Sequence, residues 1–148
     1  LLHRVGGRGM VHGFDISTTM LTRARRRFRR ERAAGLLRLH DGSITALPMA
    51  DGSVDAAITI NTLYFVAELD EALGELARVL APAGRAVLGV GDPVTMAGAG
   101  VTRHGFRLRP VAELEAALAA AGLVVERHSR VGAGDSAFHL LIARSHPG

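Results

Sequence analysis

Short apolar runs alternate with stretches of helical periodicity along most of this chain, and that alternation restricts it to a layered α/β fold. Residues 10–14 (MVHGF) read as a short strand after the turn Gly6-Gly7-Arg8-Gly9. Ser17 can cap a helix on which Met20, Leu21, Ala24 and Phe28 form one apolar stripe. Gly35 ends that helix, and residues 36–40 are the next strand. Residues 54–60 (VDAAITI) form a continuous apolar run, suited to a parallel strand covered on both faces. Leu69, Leu73, Leu76 and Leu80 mark a helix closed by Pro82 and Gly84, and residues 86–90 give a further buried strand. Pro110 opens a helix through Val111, Leu114 and Leu118 that Gly122 closes. Strands over 123–128 and 137–143, joined by Gly132-Ala133-Gly134-Asp135, make a final antiparallel pair. The expected fold is Rossmann-like: a mostly parallel sheet, helices on both faces and an antiparallel C-terminal strand. At 148 residues the chain reads as a single domain, 1–148.

Composition removes several chemistries. There is no cysteine, so disulfides, thiolate zinc sites, iron–sulfur ligation and a cysteine nucleophile are excluded. No apolar run approaches the roughly 18 residues of a membrane span, and no signal pattern opens the chain, so the cytoplasm is the expected location. All 18 basic residues are Arg, and against 14 acids they leave a net charge of +4. Seven of them, Arg23, Arg25, Arg26, Arg27, Arg29, Arg30 and Arg32, crowd one helix. A phosphate-binding face is one reading of that crowd. No RNA-binding motif accompanies it and only six residues in the chain are Phe or Tyr, which favours a solvated outer face and no nucleic-acid partner.

Polar residues stand at three strand ends, where open α/β sheets bind ligands. Asp15 ends the first strand; an acid there can accept both hydroxyl hydrogens of a ribose, or cap the following helix. Asp41-Gly42-Ser43 follows the second, and its carboxylate and amides suit either an adenine edge or a polar turn. Asn61 ends the long apolar run, as a site residue or as a turn. Together they would line one rim of one sheet. His12 and His40 lie within strands and read as structural.

Gly13-Phe14-Asp15-Ile16-Ser17-Thr18-Thr19-Met20-Leu21, with Ala24-Arg25 following, resembles the second-strand segment of class I S-adenosylmethionine-dependent methyltransferases. Asp41-Gly42-Ser43 and Leu47-Pro48-Met49-Ala50-Asp51-Gly52-Ser53-Val54-Asp55 are similar to the next block of that family. Glu75-Leu76-Ala77-Arg78-Val79-Leu80-Ala81-Pro82-Ala83-Gly84 is similar to its Glu-x-x-Arg-Val-Leu-x-Pro-Gly-Gly turn, with Ala83 in place of the first Gly. Asn61-Thr62-Leu63-Tyr64-Phe65 and Thr102-Arg103-His104-Gly105-Phe106 resemble a bacterial small-molecule subgroup. The resemblance implies S-adenosylmethionine as cofactor and a small molecule as acceptor. It implies Asp15 on the ribose, Ile16 and Met20 on the adenine, Asp41 and Gly42 at the adenine's polar edge, and Asn61 and Leu63 beside the transferred methyl group. The Glu75–Arg78 pair shares a helix face and reads as architectural.

Family members begin with a strand and an acidic-x-Gly-x-Gly-x-Gly loop that this sequence lacks; residues 1–5 look like the end of the helix that follows it. Loss of that central strand would expose two inner sheet edges. Methyl transfer needs no metal, and no metal-ligand cluster is present in the sequence. A general base would help a hydroxyl or acidic carbon, and His104 is the candidate, with an exposed loop histidine as its competing role. Two other readings stand beside methyl transfer. One is a non-catalytic Rossmann-like fragment or partner subunit. The other is a nicotinamide-dependent oxidoreductase, which the Leu-Pro and Arg-Val-Leu blocks and the absence of any Lys for a Tyr-x-x-x-Lys pair disfavour.

Overall fold

The computed structural model describes residues 2–5, 9–98, 106–133 and 137–145. It divides into two compact units, residues 1–46 and 47–148.

The first unit holds a four-residue helix α1 (Leu2–Val5), strand β1 (Val11–Asp15), helices α2 (Thr18–Arg27) and α3 (Arg29–Ala33), and strand β2 (Leu37–Asp41). Strands β1 and β2 are parallel, in register from Val11↔Leu37 to Asp15↔Asp41. The Ser17 hydroxyl accepts from the Met20 amide at 3.3 Å, so the helix starts where its cap is written. The helix expected to run unbroken to Gly35 interrupts at Phe28 (φ −106°, ψ 34°) before α3. Gly35 then takes φ +72°, the left-handed closure that a Cβ would strain. Leu21 and Leu37 are buried, while Arg23, Arg26, Arg27, Arg29, Arg30 and Arg32 are exposed. These six arginines therefore lie on the solvated side; of the expected stripe Leu21 is buried and Ala24 and Phe28 half-buried, while Met20 is exposed.

The second unit contains β3 (Val54–Ile60), a 3-10 turn (Leu63–Phe65), α4 (Leu69–Val79), β4 (Leu80–Gly91), α5 (Pro93–Gly98), α6 (Val111–Ala120), β5 (Leu123–Val131) and β6 (Phe138–Ser145). Its sheet order is β3-β4-β6-β5. β3 and β4 are parallel, and β6 runs antiparallel to both of its neighbours. Three strands thus share one direction and the C-terminal strand opposes them, as the hairpin reading expects. Helix α4 packs on β4, α6 on β5, and the two helices touch each other, so both cover the same face. Strand alternation matches: Ala86, Leu88, His139, Leu141 and Ala143 are buried, whereas Val87, Leu140 and Ile142 are half-buried. Leu73, Leu118 and Leu123 complete this core.

Strand β4 is longer than the sequence suggests. It starts at Leu80, directly after α4, and its register with β3 jumps from Val54↔Leu80 to Ala56↔Arg85, so residues 81–84 form a bulge inside it. Among the described residues β1 pairs only with β2 and β3 only with β4, each leaving one ladder edge without a strand. No helix among the described residues is long and apolar enough to cross a membrane.

Candidate functional site

The two-residue offset between strand end and helix start places Asp15 at the carboxyl end of β1. Its Oδ1 accepts from the Ser17 amide at 2.8 Å. This is an Asx-turn contact ahead of the helix, whose cap is Ser17, and it occupies one oxygen of a half-buried carboxylate. Asp41 is its register partner on β2, so two acids end adjacent strands side by side. The Gly42 amide donates to the Asp15 carbonyl at 3.3 Å, continuing the ladder one residue past the strand. Beside them Ile16 is 72% exposed and Met20 49% exposed. Two carboxylates flanked by uncovered apolar side chains suit a ligand with hydroxyls on one part and a flat apolar ring on another. Five of the expected site residues therefore cluster at one end of the first unit.

His12 and His40 lie on the same strands, ring nitrogens 3.0 Å apart, with the Phe14 ring stacked 4.7 Å from His40. Burial, with smaller contributions from His40 and Arg38, lowers the His12 pKa. A stacked, proton-sharing pair within the strands fits the structural role.

In the second unit, the Asn61 amide bonds the Gly89 carbonyl at 2.9 Å, and the residue then turns with φ +56°. It is the only non-glycine among the described residues with positive φ. Asparagine is among the few non-glycine types that take this left-handed conformation readily, so the residue suits a sharp turn at the strand end. Leu63 behaves otherwise: at 3% exposure its side chain belongs to the core, and only its backbone faces the turn. His104 lies outside the described residues.

The structure adds side chains that the sequence did not single out. Arg109 donates to the carbonyls of Leu63 (2.9 Å) and Val66 (2.8 Å), fastening the turn after Asn61. The Arg107 amide donates to the Tyr64 carbonyl at 2.9 Å. Tyr64 Oη accepts from the Gly91 amide, which ties the same turn to the end of β4, and burial raises the phenol's pKa. Asp92, buried at the end of β4, accepts from the Val94 and Thr95 amides and from Arg130 and His139. The Thr95 bond and then Arg130 hold its carboxyl far below the usual carboxylate range. His139 continues through His128 (2.8 Å) to Glu115 (3.1 Å). An Asp-Pro step after an apolar run is a turn signal that could have marked Asp92; nothing local marks the hold of Arg109 on Leu63 and Val66, which lie more than 40 residues away.

A concavity of about 600 Å³ lies elsewhere, between the last turns of α6 and the start of β5, lined by residues including Glu115, Ala119 and Val125. A smaller one of about 270 Å³ lies on α2 among Thr18, Thr22, Arg23 and Arg26. Neither touches the strand-end residues. No group of three or more His, Asp or Glu among the described residues is placed to hold a metal.

Residues 1–88, more than half of the 148, match the family model described as a methyltransferase domain, and the match runs through both units. The chain belongs to that family. A demethylmenaquinone methyltransferase of Thermus thermophilus is 42% identical over 79 residues, 53% of this chain and 34% of that protein. The chain spans only 26–38% of the length of the curated relatives it matches. Among solved structures, geranyl diphosphate C-methyltransferase from Streptomyces coelicolor superposes with a TM-score of 0.74 at 18% identity, over 92% of this chain and 62% of that one. The [4+2]-cyclase SpnF superposes with a TM-score of 0.77 at 19% identity, over 95% and 67%. The fold is therefore that of the methyltransferases, and the same fold also carries a cyclisation.

Proposed function

We propose that this chain belongs to an S-adenosylmethionine-dependent methyltransferase acting on a small-molecule acceptor. The observation that carries the proposal is the side-by-side pairing of Asp15 and Asp41 at the ends of β1 and β2, with Ile16 and Met20 uncovered beside them. Their chemistry fits the cofactor. Asp15 keeps one carboxylate oxygen free of the Ser17 contact and would accept the ribose hydroxyls. Ile16 and Met20 would pack on the adenine, and Asp41 with the Gly42 backbone would meet its polar edge. In the second unit Asn61 and the backbone of the turn after it would border the transferred methyl. When bound, the cofactor supplies a methyl group already activated on a sulfonium, so alignment with the acceptor provides most of the rate. Arg109 and Tyr64 hold the turn that does the aligning. Where the acceptor is a hydroxyl or an acidic carbon, His104 is the candidate base. The reading goes with a cytoplasmic location and a diffusible acceptor.

Titrating S-adenosylmethionine into wild-type and Asp15 variants tests it, with dissociation constant and Tm read on the same samples. Charge-assisted hydrogen bonds to two hydroxyls are worth about 1.5–3 kcal/mol each before desolvation. Asp15→Ala should weaken binding roughly ten- to a hundredfold, and Asp15→Asn less, since an amide oxygen still accepts. A lower Tm with unchanged affinity would leave Asp15 a turn residue and remove the ribose role.

A further inference from the structure

Aromatic residues are scarce in this chain, five Phe and one Tyr, yet three of the six meet at one place. The Phe65 and Phe106 rings stand edge to face with centroids 4.6 Å apart, and Tyr64 lies 5.6 Å from Phe106. Tyr64 is buried and Phe106 half-buried, but Phe65 is 54% exposed. The cluster sits in the turn after Asn61, at the carboxyl end of β3, and Tyr64 binds it to the carboxyl end of β4.

Several polar groups around these rings are already engaged. Arg109 takes the carbonyls of Leu63 and Val66, the Arg107 amide takes that of Tyr64, and the Tyr64 hydroxyl takes Gly91. Beside Asn61 the turn also offers a visitor the Phe65 ring, held by Phe106 and a backbone that Arg109 fastens. A large apolar side chain left half-open on a fastened frame is wasteful as packing and suitable as a contact surface. Ring against ring favours edge-to-face or offset stacking, a preference that a saturated ligand of the same size does not share.

Resting on the methyltransferase reading above, we infer that Phe65 and Phe106 form the acceptor wall of the site, and that the acceptor presents a flat aromatic ring rather than an aliphatic or saturated one. Phe65 contacts the acceptor ring; Phe106 and Arg109 are positioning residues that set the angle of that contact.

Solution NMR on the 148-residue chain with labelled phenylalanine provides the test. 1-Naphthol is the aromatic probe, and decahydro-1-naphthol, the same skeleton without π electrons, is its control. Naphthol should shift the Phe65 and Phe106 ring signals and bind roughly two- to tenfold more tightly than the saturated alcohol. Phe65→Leu, an exposed position where apolar volume is kept and only the ring is lost, should erase that preference. Equal binding of the two probes, no binding, shifts confined to the α6–β5 cleft, or a preference that survives Phe65→Leu would each overturn the inference. Addition of S-adenosylmethionine to the same chain labelled uniformly at its amides reports separately on Asp15, Asp41 and Gly42. Shifts there with a failed naphthol arm overturn the acceptor class alone, whereas their absence overturns the parent reading.

Discussion

Glu75 accepts three hydrogen bonds within one short stretch of structure. Its Oε1 takes Arg78 Nε at 2.6 Å, and its Oε2 takes Arg78 Nη2 and the Leu47 amide, both at 2.8 Å. Arg78 goes on to the carbonyls of Leu47 and Met49 and to the Asp51 carboxylate. The pair therefore fastens the 47–51 loop to α4, which makes concrete the architectural role expected from its spacing. The spacing shows that Glu75 and Arg78 share a helix face. It does not show the loop they hold, because that contact depends on how the chain returns nearly 30 residues away. The Arg78 hydrogen bond, aided by the Leu47 amide, lowers the Glu75 pKa from 4.5 to about 2. A carboxyl whose pKa is lower folded than unfolded stabilises the fold above its ordinary pKa and loses that contribution as acid protonates it. The Tm of the wild type should thus carry a decline between pH 4.5 and pH 2 that Glu75→Gln lacks, the variant starting lower at pH 7. Parallel curves for the two proteins through that window would refute this account.

The α4–β4 junction shows the same limit at the level of an element. Leu69, Leu73 and Leu76 predict the helix correctly, and Pro82 and Gly84 look like its terminator. In the structure the strand begins at Leu80, and the Pro-Ala-Gly segment bulges within it. A Cβ on Gly84 would stand 2.9 Å from the carbonyl oxygens of both Ala81 and Val54. Both are backbone atoms and cannot swing aside. Gly84→Ala should therefore cost about 1–3 kcal/mol, the usual range for overpacking, as read from urea denaturation. Ala83 is exposed and has no positive φ, so Ala83→Gly should change stability by less than about 1 kcal/mol. This explains why the chain can depart from the family's Pro-Gly-Gly at Ala83 and still keep the turn. If Gly84→Ala proved as mild as Ala83→Gly, the close approach of the strand backbones would not be what demands glycine here.

Across the whole molecule the apolar core is unevenly shared. Among the described residues Leu21 and Leu37 are the buried hydrophobic residues of the first unit, while the second buries Leu73, Leu88, Leu118, Leu123, Leu141 and many others. Local stability follows buried apolar contact, so amides of β1 and β2 should lose hydrogen-exchange protection at lower denaturant than those of β4 and β6. Equal protection in both sheets would contradict that ordering. Charge divides as well, with ten Arg against three acids in residues 1–46 and eight against eleven in 47–148. The sequence by itself determined the order of the strands and of helices α2, α4 and α6, the outward face of most of the arginines on the first of these, the antiparallel C-terminal pair and the strand-end positions of Asp15, Asp41 and Asn61. Those follow from periodicity, caps and turn residues, which act over a few positions. Only the tertiary structure decided that Asp15 and Asp41 stand as register partners and that Leu63 points into the core. It alone joined Arg109 to Leu63 and Val66, gathered Tyr64, Phe65 and Phe106, and led Asp92 through His139 and His128 to Glu115. Each of these contacts closes a loop of chain between residues that carry no local sign of one another, so long-range packing selects them.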